Sequence, residues 1–439
     1  MIVRMRRGLL TLLFASAVYA GPYEDFQSEL IILNKRTKVT HSNECDVHIK
    51  IKEVIGFEVK QYYEKERNEK DKNDSRKSWY MEIDALNKAV QENYSQNFGI
   101  CIDIVCVEEW KHEPSLTLET LMQEAMFIPP KEAQAVVGLT RLKALLTSTV
   151  GRAEPLGNYM VIRVGKEDGR TIYLHEFAHL LGAQHVNDQK SIMYEQESGS
   201  LHWDRTSKKI IISNKNRSWE LDETKVGLHK CALHLDEKSL KQLKSIYRLF
   251  GLQNLVQDKH KLWQTAEERT SQLLASYPKE GHLHFLQSEL YEQLGKNEES
   301  MGELEKALAF GTDYAVLQNN LAYYYSEKNP ERALKLAQSA VNKKPNDEFR
   351  ETLGWAYYNN GCYNEAEQEL IKIKSLEKNA EYQYHLGMTY DKLNKWEKAK
   401  DALRKVITLD KGKLRQFADK KLKAYEYEEN SDEKQNKDE

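Results

Sequence analysis

Cysteine, proline and glycine are all scarce in these 439 residues. Five cysteines are too few for a disulfide-dense scaffold. Eight prolines and 21 glycines exclude a collagen-like or Pro/Gly-rich chain. A surplus of either charge is also missing, since 65 Lys and Arg stand against 68 Asp and Glu, for a net charge of −3. So even a balance gives no electrostatic case for nucleic acid or an anionic membrane as the main partner. Past residue 20 no apolar run approaches the roughly 20 residues that a membrane span takes. What the chain does have is length and polar surface, with 30% charged and 40% hydrophobic residues. A single core rarely grows past about 250–300 residues, so two or more domains are expected.

Residues 1–7 carry Arg4, Arg6 and Arg7, the apolar run GLLTLLFASAV follows, and Val18-Tyr19-Ala20 supplies small residues. A basic start, a short apolar stretch and a small-residue site read as a cleavable secretory signal, with the cut after Ala20. The expected location is secreted or periplasmic, with no membrane span left after cleavage. Sequons stand at Asn73, Asn93 and Asn216. Export permits disulfides. Cys101 and Cys106 sit in the strand-like GICIDIVCVEEW, about 16 Å apart on opposite faces, and should not pair with each other. Cys45 and Cys231 each bridge to one of them, or to each other, and Cys362 stays unpaired.

Alternation predicts strands at 46–57, 98–108, 135–139 and 158–164, and apolar spacing predicts helices at 81–97 and 169–181. The charge-rich stretch 60–78 reads as a solvated loop or helix. Strands interleaved with helices point to an α/β sandwich. From residue 281 a repeat takes over. Ser288, Ala322, Gly354 and Gly387 recur at intervals of 34, 32 and 33 residues. Tyr291, Tyr325, Tyr357 and Tyr390 each follow by three, and Ala333, Ala366 and Ala399 open second helices. This pattern resembles the tetratricopeptide repeat family, a helix-pair solenoid. The resemblance implies a protein partner on the concave face.

The segment HEFAHLLGAQH runs from His175 to His185. His175 and His179 are four apart on a helix, so both imidazoles leave one face and can reach one Zn²⁺ at about 2.0–2.1 Å. Gly182 ends the helix in a turn that brings back His185 as the third ligand, leaving a position for water. Glu176, beside the first ligand, is placed to act as general base. Chance assembly of these five positions in a chain this long has odds of roughly a few in 10⁵.

HExxHxxGxxH is similar to the metzincin clan of zinc proteases. Ser191-Ile192-Met193-Tyr194 stands where the clan has its Met-turn. The short interval from His185 to Met193, Asp188 and the Met-Tyr pair resemble the matrixin family. Residues 235–251 resemble its C-terminal helix. The resemblance implies an α+β metzincin-type domain with a twisted mixed sheet, an active-site helix and a C-terminal helix. It also implies one catalytic Zn²⁺, no structural zinc or calcium, a structural Met193, and a peptide or protein substrate. Tyr194 reads as structural beside Met193, with oxyanion stabilisation as the competing role. Glu195 replaces the Pro usual in matrixins, and 196–233 is an insertion containing a hairpin-like KKIIISNKNRSWEL. His202, His229 and His234 are expected on the surface.

The expected plan is a signal peptide (1–20), a short segment (21–44) and a matrixin-like domain (45–251). A helical connector (252–280), about four repeats (281–411), a capping helix (412–427) and a disordered charged tail (428–439) follow. The expected function is an exported zinc endopeptidase. The alternative is a non-catalytic repeat scaffold with a vestigial metzincin domain.

Overall fold

The computed structural model describes residues 30, 31, 33, 45–70, 79–112, 117–141, 150–164, 169–195 and 199–438. The expected signal at 1–20, most of 21–44 and the sequon at Asn73 lie outside these residues. The chain divides into two compact units, Met1–Leu262 and Trp263–Glu439. The division falls in the stretch expected as a connector, inside helix α8 (Lys259–Ser276). No helix among the described residues is long and apolar enough to cross a membrane.

The first unit is a mixed α/β layer structure. Its strands are β1 (Val47–Gly56), β2 (Ile100–Trp110), β3 (Ala135–Thr140), β4 (Gly151–Ala153) and β5 (Tyr159–Arg163). They form one sheet in the order β2-β1-β3-β5-β4. All neighbours are parallel except β4, which runs antiparallel to β5 at the edge. Parallel strands are covered on both faces and need apolar residues on both. In β3 all six residues are buried. Val137 and Leu139 join the main core, whereas Val136 faces the other side with Val54 and Val161. The main core is filled from α2 (Trp79–Phe98) and α4 (Gly169–Leu180), and the opposite face from α3 (Leu118–Ala125). Helix α1 (Phe57–Lys70) follows β1 directly, so the charge-rich stretch opens as a helix.

Four differences from expectation lie between β2 and the end of the unit, one of them the short strand β4, which the expectations above lack. Helix α3 is absent from the expectations above, although Leu118, Leu121, Met122 and Ala125 are its buried stripe and Thr117 Oγ1 caps Thr120 N–H at 3.1 Å. The expected hairpin KKIIISNKNRSWEL does not form: its first half lies in α5 (Arg205–Asn214) and 215–221 form no strand. Three successive isoleucines mimic a strand, but only Ile211 is buried, and Asp204 caps the helix by accepting from Ser207 N–H at 2.9 Å. An N-cap of this kind contributes about 1 kcal/mol. The rest of the insertion forms α6 (Glu223–His234), followed by α7 (Glu237–Leu252), which matches the expected C-terminal helix.

Cys45 bridges Cys101, one of the pairings left open above. Cys106, Cys231 and Cys362 join no disulfide, so the expected bridge to Cys231 is not formed. With Cys101 taken, Cys106 faces Glu108 instead, its Sγ 3.4 Å from Oε1. The sequon Asn93 sits within α2 and its Oδ1 accepts the Trp203 Nε1–H at 2.8 Å, an engagement that opposes glycan attachment.

The second unit is helical. Its pairs are α9 (Gly281–Gln293) with α10 (Asn297–Ala309), α11 (Ala315–Tyr325) with α12 (Pro330–Lys343), α13 (Asp347–Asn359) with α14 (Tyr363–Leu370), and α15 (Ala380–Lys392) with α16 (Trp396–Leu409). Ser288, Ala322, Gly354 and Gly387 are all buried, and the four tyrosines are half-buried. A Cβ at Gly354 would fall 2.6 Å from Leu370 Cγ, so the paired helices approach too closely for any side chain there. The final helix, α17 (Lys413–Asp438), runs through the tail expected to be disordered. That tail is rich in Glu, Lys and Gln, which carry high helix propensity, and extending a formed helix needs no new nucleus.

Two outcomes follow. Thiol titration in denaturant without reductant counts three thiols, and five would mean that no bridge exists. Gly354→Val overpacks α13 against α14 and costs about 1–3 kcal/mol, read as a lowered melting temperature of the helical signal.

Candidate metal centre

Helix α4 carries His175, Glu176 and His179, and it is tied down before them. Tyr94 Oη donates to Leu174 O at 2.9 Å, and Tyr173 Oη donates to Glu53 Oε1 at 3.2 Å. Burial pushes the Glu53 carboxyl up to about 7, with hydrogen bonds from Asn87 and Tyr173 acting against it. Past the end of α4 the chain reverses at Gly182, whose φ of 83° suits glycine and few other residues. Gly182 N–H donates to His179 O at 2.8 Å and Ala183 N–H to Ala178 O at 3.0 Å.

The reversal returns His185 to the helix. The three Nε2 atoms form a near-equilateral triangle, with His175 to His179 at 3.1 Å, His175 to His185 at 3.1 Å and His179 to His185 at 3.2 Å. Donors about 2.0–2.1 Å from one tetrahedral ion lie about 3.3 Å apart, so the triangle fits a single ion of zinc size. Protonation points the same way. His175 Nδ1–H donates to Ile192 O and His179 Nδ1–H to Ala183 O, both at 2.7 Å. Carbonyls only accept, so each ring proton sits on Nδ1 and each Nε2 presents a bare lone pair. Burial holds His175 down at about 4 and lowers His179 as well, against the pull of those carbonyls. Lone pairs facing one another across 3.1 Å repel unless a cation lies between them. The triangle is the one cluster of three or more His, Cys, Asp or Glu among the described residues that is compact enough to hold a metal ion.

Glu176 is not a member of the triangle. Its side chain lies against β4, where a Cβ on Gly151 would fall 2.5 Å from its Cγ. Burial pushes its carboxyl up to about 8, and Arg152 and the Ala153 N–H pull it down. A base next to three metal-competent nitrogens, yet held apart from them, can move a proton at a water between them.

Met193 is fully buried, and its turn is built from backbone. Ser191 N–H donates to Asp188 O at 2.9 Å, Ile192 N–H to His202 O at 2.8 Å, and Val186 N–H to Met193 O at 2.9 Å. Ser191 Oγ donates to Asp204 Oδ2 at 2.7 Å and accepts from Met193 N–H at 3.0 Å. Asp204 thus caps α5 and holds the turn together. Tyr194 is half-buried and pairs with Val186 through its backbone, and no hydrogen bond ties its hydroxyl to the triangle among the described residues. His202 and His234 are exposed as expected. His229 is half-buried and hydrogen-bonds Met126 O at 2.8 Å, packing α6 onto the end of α3.

Sequence reasoning missed the carbonyls of Ile192 and Ala183, together with Ser191, Asp204 and Arg152. A capping signal marked Asp204 alone. Gly182→Ala places a Cβ 2.8 Å from Asn214 Nδ2 and from Leu156 Cδ2 at a positive φ, for a cost of about 1–3 kcal/mol. The expected outcome is a lower melting temperature together with weaker metal uptake in an equilibrium dialysis.

A family model for the tetratricopeptide repeat matches residues 380–413, the α15–α16 pair. Among solved structures, the chain is similar to YrrB, described as a TPR protein with an unusual peptide-binding site. The identity is 23%, the coverage 42% of this chain and 95% of that one, and the TM-score 0.34. It is also similar to a MamA point mutant, with 18% identity, 40% and 100% coverage and a TM-score of 0.33. MamA of MSR-1 matches at 18% identity, with 40% and 98% coverage and a TM-score of 0.32. No curated protein matches the chain. The family match thus places a tetratricopeptide repeat on α15 and α16, the last of the four helix pairs.

Proposed function

We propose that residues 45–251 are a zinc-dependent endopeptidase domain of the matrixin-like metzincin type, in an exported protein whose repeats engage a protein partner. The observation that carries this reading is the convergence of three Nε2 atoms, those of His175 and His179 presenting lone pairs, beside a separate, buried carboxyl. His175, His179 and His185 would hold one Zn²⁺. Bound zinc supplies a Lewis acid that polarises a peptide carbonyl and acidifies a water. Glu176 takes the proton from that water and later delivers it to the leaving amine. The carbonyls of Ile192 and Ala183 keep two of the imidazoles in the ligating tautomer throughout. Strand β4 lies at the sheet edge with one flank pairing β5, so an extended peptide can add beside it. Tyr194 is assigned a structural role, supporting the Met193 turn.

The family match speaks for the repeats alone and favours a second reading, a repeat adaptor whose first unit retains the fold without turnover. Elemental analysis and a casein assay separate the two. The expected result is one zinc per chain and cleavage that a chelator abolishes and zinc restores. Glu176→Gln keeps the zinc and loses about 10²–10⁴-fold in rate, whereas His185→Ala loses the metal. Zinc binding with no cleavage of casein or of a broad peptide library leaves the adaptor reading standing and sinks the peptidase.

A further inference from the structure

We propose that a cavity on the repeat unit is a binding pocket for a lysine or arginine side chain carried on an extended protein segment. The inference rests on the partner-binding role given to the repeats and is independent of the hydrolytic role.

The first helices of successive pairs, α9, α11, α13 and α15, contribute to a cavity of about 420 Å³, within the range of ligand pockets. Four glutamates line it: Glu292 from α9, Glu348 and Glu351 from α13, and Glu381 from α15. No Lys or Arg is among the described residues of the lining. Glu292 accepts from Tyr324 Oη at 3.3 Å, and Glu351 is bonded to His385. Among the described residues no hydrogen bond reaches the carboxylates of Glu348 or Glu381. Neighbouring groups register the excess of negative charge. Tyr382 is raised by burial and then by Glu351, Glu348, Asp347 and Glu381, and Tyr323 by burial and then by Glu381, Glu351 and Glu327.

A second, independent observation is an amide. Asn319 lines the same cavity and is 3% exposed, yet its Oδ1 is enclosed with no hydrogen-bond partner. An unanswered buried polar atom costs about 1–3 kcal/mol, and the backbone of an extended peptide carries the donor that would satisfy it. Tyr323, 53% exposed, offers an aromatic face to a cation entering the cavity.

A bare metal ion is not the occupant these features fit, because the carboxylates are too dispersed: among the described residues only the three histidines of the first unit gather closely enough for one. A cation on a flexible stem reaches separated carboxylates, and the chain that bears it reaches Asn319.

The test is fluorescence anisotropy on the full-length protein with three short labelled peptides. They share one sequence in which the same positions carry Lys and Arg, Ser, or Glu, and mass spectrometry checks that they stay intact. The basic peptide is expected to bind at least about tenfold more tightly than the Glu peptide, and to weaken as NaCl rises from about 50 to about 500 mM. The double variant Glu348→Gln/Glu381→Gln removes the preference. Asn319→Ala, with an unchanged melting curve, weakens binding of all three peptides. Equal affinity for the basic and Ser peptides, or a preference that survives the double variant, overturns the charge assignment and leaves the repeats a peptide binder. Failure of all three to bind overturns both, whatever the casein assay shows.

Discussion

Two short hydrogen bonds, from the Nδ1–H groups of His175 and His179 to the carbonyls of Ile192 and Ala183, are the constraint on which the centre depends. They decide which nitrogen of each ring keeps its proton, and so aim two lone pairs at one point. Burial also disfavours a further proton on either ring. Both carbonyls belong to turns rather than to helix or strand. One turn depends on the positive φ of Gly182, the other on Ser191 held by Asp204. The insertion that carries Asp204 is thus part of the centre's support, and Trp203 beside it packs on Tyr94 and Phe98 in the main core.

The sheet supplies the rigid frame for these side chains. Helix α4 is held by Tyr94 and Tyr173, one of which reaches across to Glu53 in the interior strand β1. Glu176 is fixed from the other side, where β4 brings Gly151, Arg152 and Ala153 against it. Glu176 thus leaves the same helix as His175 and His179, but its carboxyl rests against the sheet edge while their imidazoles rest on turn carbonyls. A site built in this way can hold a metal while leaving its base unligated.

The repeat unit solves a different problem. Each helix pair closes on a small residue, so its packing is apolar, local and repetitive. The first helices leave carboxylates, tyrosines and an unsatisfied amide turned into a shared cavity. The three imidazoles of the first unit meet at one point, whereas the cavity of the second is shared by the first helices of four helix pairs.

Local spacing made several features legible without coordinates. The 3.6-residue helical period placed His175 and His179 on one face, and the recurrence from Ser288 to Gly387 marked the helix pairs. Alternation and apolar runs found four of the five strands to within a few residues, because buried parallel strands must be apolar over their whole length. The hairpin expected over KKIIISNKNRSWEL does not form, since three isoleucines in a row carry no period; the Asp204 cap is a local signal, whereas the burial of Ile211 in the main core depends on residues far along the chain. Cys45 could be matched to Cys101 only once β1 lay beside β2. The cavity chemistry of the repeats was invisible for the same reason: Glu292, Glu348 and Glu381 lie on different helices, and their shared field exists only after those helices are stacked. The amino-acid sequence by itself determined the periods and the ligand-type residues, which depend on neighbours a few positions away. Tertiary structure alone decided the tautomers, the disulfide and the pocket, because each needs atoms brought together from distant parts of the chain.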